Sequence, residues 1–184
     1  MTAPIAIINA DLYTPDAILP KGLLLAAGGR ILAVGESAAI PLPATTRLID
    51  AEGGRLTPGL IDLAQFDFAP APSSAAGVTA YLRACPLRQK QDLPALARAA
   101  QQLSTAGAQS LGLHLIGPWL RSSTPPPAWE DVWVAAHDRI RMLTLDPAAC
   151  PDPELLAPAR RAGVRILLLT AAAADVQPYL AAGP

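Results

Sequence analysis

The chain is short of charge, of aromatic rings and of the side chains that ligate metals. Aspartate, glutamate, lysine and arginine together make up 16% of its 184 residues, where a soluble domain carries about 25%. The two signs nearly cancel, leaving a net charge of −1. There is no basic patch and no basic amphipathic helix, so neither nucleic acid nor a membrane surface is an expected partner. The two cysteines, Cys85 and Cys150, show no metal-binding or redox spacing. They read as reduced, buried thiols, because a catalytic cysteine would want a neighbouring base that the sequence does not place. A long hydrophobic run is also missing. The longest, Ile166 to Leu169 continuing into Ala171 to Ala174, is too short and interrupted to span a bilayer. Met1-Thr2-Ala3-Pro4-Ile5 has no charged n-region and no apolar h-region, so the expectation is a cytoplasmic protein without a signal peptide.

Apolar residues are abundant. They form 52% of the chain and raise its mean hydropathy to +0.32, much of it through alanine. The length suits one medium domain, or one domain with a small satellite.

The first part reads as β structure. Ile5 to Leu12 is a strand closed by Tyr13-Thr14-Pro15-Asp16. Leu23 to Ala26 and Arg30 to Val34 flank Ala27-Gly28-Gly29, which predicts a hairpin, since glycine takes positive φ without steric cost. Arg47 to Asp50 is a further short strand before Gly53-Gly54. After that, strands alternate with helices. Leu60-Ile61-Asp62-Leu63, Val78 to Leu82, Leu111 to Leu115, Ile140 to Leu145 and Val164 to Leu169 are short apolar strands. Between them, apolar residues recur at helical spacing over Asp92 to Ala106, Ala128 to His137 and Asp152 to Ala162, where Pro158 predicts a kink. Two turns of helix follow over Asp175 to Gly183. Alternation of this kind predicts βαβ units and a parallel sheet. The expected fold is α/β: an incomplete (β/α) barrel of about five parallel strands over residues 55–184, preceded by a small β-sheet segment over residues 1–54. Five strands are too few for an eight-stranded barrel.

The order of motifs resembles the amidohydrolase superfamily, and most closely the first part of the N-acetylglucosamine-6-phosphate deacetylases. Gly28 to Gly35 is similar to the turn of the family's N-terminal β segment. Pro58-Gly59-Leu60-Ile61-Asp62 resembles the signature of its first barrel strand. Gly77-Val78-Thr79 resembles the second, Gly112-Leu113-His114-Leu115 with Gly117-Pro118 the third, and Thr144-Leu145 with Pro147 the fourth. Leu168 to Ala171 falls where the fifth strand has a Gly-His pair. The resemblance implies a divalent metal held by several protein ligands, with one open position for water. It also implies which residues should hold it, and here the chain departs from the family. The paired histidines fall on Ala64 and Phe66, the glutamate on Ile116 and the fifth-strand histidine near Thr170. The fourth-strand Pro-Glu becomes Pro147-Ala148. The sixth-strand histidine and the late catalytic aspartate have no counterpart up to Pro184. The stretch from Asp62 to Gly77, with Pro70 and Pro72, leaves little room for a first crossover helix. No metal and no cofactor are therefore expected. Without a metal, bound water keeps a pKa of about 15.7 instead of about 7, and the nucleophile is lost.

The remaining polar and aromatic residues are candidates for a vestigial pocket: Asp62, His114, Trp119 and Asp146. Each also has a plainer reading. His114 is either a binding residue or a hydrogen-bonded core histidine, the second carrying more weight. Asp62, alone or paired with Asp67, is either a carboxylate site or a strand-end turn residue bonded to nearby backbone. Asp146 before Pro147 reads as a turn residue by the same logic. His137, near a helix end, reads as a solvated residue. Trp119, Trp129 and Trp133 supply packing area or a subunit contact. Ser122 to Pro127 reads as a loop with polyproline character.

The substitutions run from polar to apolar, as expected when a buried site loses the charge that its ligands were paired with. Open sheet edges recruit other chains. The sequence thus favours a catalytically inactive amidohydrolase-like protein with a structural or regulatory role in an oligomer. Its partner would be a second copy or a paralogous amidohydrolase subunit. Two alternatives stand beside it: a truncated gene product without stable function, and a sugar-phosphate binder or residual amidohydrolase acting with a partner subunit.

Overall fold

The computed structural model describes residues 3–66, 77–103, 107–120, 127–150, 152–170 and 172–182. Asp67, the Pro70 and Pro72 stretch and most of the Ser122 to Pro127 loop lie outside them. The chain divides into two compact units, Met1–Pro58 and Gly59–Pro184.

The first unit is a mixed sheet of five strands: β1 (Ile5–Tyr13), β2 (Ile18–Ala27), β3 (Arg30–Glu36), β4 (Arg47–Asp50) and β5 (Arg55–Leu56). Strands β1, β2 and β3 form an antiparallel meander. Its second turn is Gly28-Gly29, both at positive φ (58° and 74°), the mirror-image turn whose twist matches the flanking strands. Strand β4 pairs in parallel with Ile5 to Ile8 of β1, and β5 pairs with Asp11 and Leu12. One strand serves both because it is bulged near Asn9, where φ is 54°, and a bulge bends its strand. The core of this sheet is small: Ala6, Leu23 and Leu25, with Ile8, Ala33 and Ile40 against them.

The second unit is a sheet of five parallel strands: β6 (Leu60–Gln65), β7 (Val78–Pro86), β8 (Gln109–Ile116), β9 (Ile140–Leu145) and β10 (Arg165–Leu168). They lie side by side in sequence order and form a half-barrel, as the alternating pattern predicts. Helices α1 (Leu93–Gln101), α2 (Trp129–Ala136), α3 (Ala157–Arg161) and α4 (Gln177–Ala181) belong to this unit. The core lies between sheet and helices. Leu113, Leu115, Leu143 and Leu145 from β8 and β9 share a cluster with Leu96, Val132, Ala136, Leu156 and Ala159 from the helices. Each strand thus sends alternate leucines to the helix side.

The helices are shorter than their apolar periodicity predicts, and the reasons are local. α1 begins after a 3-10 turn over Lys90–Asp92, and Asp92 returns its carboxylate to the backbone N–H groups of Arg88 and Gln89. The segment from Asp152 to Ala162 is split into a 3-10 turn, Pro153–Leu156, and α3. The split falls just before Pro158, which has no N–H to continue an α-helix across the junction and is suited instead to a first turn. The last segment is likewise a 3-10 turn, Ala173–Val176, followed by α4. Among the described residues, no helix is long and apolar enough to cross a membrane.

Candidate functional site

In a parallel α/β sheet the C-terminal strand ends are where a site is built. Two of the four pocket candidates, Trp119 and Asp146, lie just beyond such ends, while Asp62 lies three residues before the end of β6 and His114 two residues before the end of β8. Its ring is buried. Nδ1 lies 2.6 Å from the Leu63 carbonyl oxygen of β6, and Nε2 lies 2.6 Å from Thr144 Oγ1 of β9. A carbonyl only accepts, so Nδ1 carries the proton and donates to it. In the neutral ring, Nε2 then accepts from the Thr144 hydroxyl. The imidazole ties together three strands of the half-barrel and has no nitrogen to spare.

Thr144 is the partner that sequence reading misses, appearing there only as part of a strand-end motif. The signal is the register. Ile116 pairs with Thr144 and His114 with Met142, so His114 and Thr144 are diagonal neighbours within reach of a ring. Thr144 is itself buried, and its hydrogen bond to His114 is what satisfies its hydroxyl.

The other candidates bond mainly to backbone. Asp62 Oδ1 accepts from the Ala64 N–H at 2.9 Å. Asp146 Oδ1 accepts from the Ala148 N–H at 2.9 Å, capping the 3-10 turn Pro147–Ala149. The Asp146 N–H donates to the Trp119 carbonyl at 2.6 Å. The Trp119 ring is buried and stacks on Trp129, with centroids 6.0 Å apart, and Trp129 in turn meets Trp133. The structure thus joins Asp62 to His114 through the intervening Leu63, and Trp119 to Asp146 through the backbone.

Gly117 shows why the motif after β8 needs glycine. Its φ is +104°, and a Cβ there would strike the Leu87 carbonyl oxygen. That position is a close backbone approach, not a ligand cradle.

The positions at which the resemblance implies metal ligands hold no adequate donor set. Ala64 and Ile116 have aliphatic side chains, and Phe66 is an exposed ring. Thr170 is exposed, and its hydroxyl donates to Asp175 at 2.8 Å. Among the described residues, no three histidine, cysteine, aspartate or glutamate side chains come together as a metal site. A divalent metal needs three or more such ligands, and His114 is already engaged at both nitrogens. The residues here do not fit the group.

Neither cysteine forms a disulfide, and both are buried. Burial pushes the Cys150 thiol up from its ordinary value, with a smaller opposing effect from Tyr179. The Tyr179 hydroxyl donates to the Cys150 carbonyl, which pins α4 to the loop after β9. A thiol held protonated is a poor nucleophile.

No protein-family model matches the chain, and no curated relative matches it by sequence. Solved structures do match. N-acetylglucosamine-6-phosphate deacetylase from Pasteurella multocida superposes with a TM-score of 0.75 at 22% identity, over 98% of this chain and 55% of that one. The corresponding deacetylase from Mycobacterium smegmatis gives 0.70 at 23% identity, over 99% and 54%. A D-hydantoinase from Thermus sp. gives 0.62 at 20% identity, over 89% and 39%. The chain spans about half the length of the deacetylases it matches. Its fold is that of the N-terminal half of the N-acetylglucosamine-6-phosphate deacetylases of the amidohydrolase superfamily.

Proposed function

We propose that the chain is a catalytically inactive, deacetylase-like member of an oligomer, in which it plays a structural or regulatory part. One observation carries the reading. The histidine among the pocket candidates, His114, spends Nδ1 on the Leu63 carbonyl and Nε2 on Thr144. Apolar side chains at Ala64, Phe66 and Ile116 support it from the neighbouring strand ends. An imidazole held in this way links β6, β8 and β9, a structural task that a metal ligand could not perform at the same nitrogens. The reading also accounts for the direction of the substitutions, since an uncompensated buried ligand set is costly once its metal is gone.

The test is metal content and hydrolysis measured on one preparation. The chain is purified after growth with zinc and iron supplied, assayed for bound metal by mass spectrometry, and incubated with N-acetylglucosamine-6-phosphate. The expected result is far less than one metal per chain and no acetate release above buffer. Stoichiometric metal together with acetate release would overturn the reading.

A further inference from the structure

We draw no further inference here: the strongest candidate, the apolar edge strand β3 of the first sheet with its exposed Ile31, Leu32 and Val34, carries nothing because nothing in the structure shows what covers it.

Discussion

Strands β8 and β6 belong to one sheet, run in one direction and are both rich in leucine, yet their environments differ sharply. Leu113 and Leu115 of β8 are fully buried, while Leu60, Ile61 and Leu63 of β6 are about half exposed or more. Composition does not separate them. Neighbours do: β8 has a strand on each side and shares a core with residues of α1 and α2, whereas β6 has, among the described residues, one strand beside it. An apolar strand read from sequence is a promise of burial, and the fold decides whether it is kept within the chain or left for another surface.

The largest test of that contrast is truncation of matched leucines. Leu113→Ala removes a fully buried side chain from the middle of the core and should cost about 3 kcal/mol, within the usual range for such a cavity. Leu60→Ala, at 62% exposure, should cost less than about 1 kcal/mol, because little of its surface leaves water on folding. Urea unfolding at concentrations where the chain is monomeric reads both. Equal costs would mean that β6 is covered within a single copy, and the contrast would collapse.

The second test concerns the polar tie across the sheet. Thr144→Val keeps the shape of the side chain but removes the donor to His114 Nε2, leaving a buried acceptor unsatisfied. A loss of about 1–3 kcal/mol is expected. Nitrogen-15 shifts of the ring should retain the Nδ1–H tautomer, since the Leu63 carbonyl still accepts its proton. An unchanged stability would show that the hydrogen bond contributes nothing, and His114 would lose its structural role.

The alternation of short apolar strands with helical periodicity makes the parallel sheet readable in advance, and the Gly28-Gly29 turn announces its hairpin. Strand β5 and the first half of β2 escape sequence reading. Arg55–Leu56 is too short to show a period, and Pro20 and Gly22 disguise a strand that bends. The helix limits escape it too, because the 3-10 turns act through hydrogen-bond geometry that an apolar stripe does not record, although Pro158 marks the interruption of its segment. At the site, the apolar side chains of Ala64, Phe66 and Ile116, where the resemblance implies metal ligands, are legible in the sequence. The use made of His114 is not, because its partners are a carbonyl 51 positions away and a hydroxyl 30 positions away. The register of β8 against β9 brings the hydroxyl to the ring, and the order β8-β7-β6 in the sheet brings the carbonyl.

The smallest expected effect lies in the other unit, where a charge is fixed without any burial. Asp50 ends β4, accepts from the Glu52 N–H at 2.8 Å, and takes Asn9 Nδ2 at 3.0 Å on each carboxylate oxygen. These bonds favour the ionised form, the Glu52 bond most, and hold the carboxyl below its ordinary 3.8. The folded state therefore binds the Asp50 proton less readily than the unfolded chain does. The resulting stabilisation is complete above pH 3.8 and fades as the pH falls through the lower folded value. Asp50→Asn removes the titration, so the stability gap between wild type and variant should be constant near neutrality and shrink on acidification below that point. Glu52 and Gly53 both have positive φ, so the same carboxylate also braces a turn that most residues would resist. Urea midpoints of both proteins across the acid range read the effect. A gap that widened on acidification would reverse the sign and place the stabilised form of Asp50 on the protonated side.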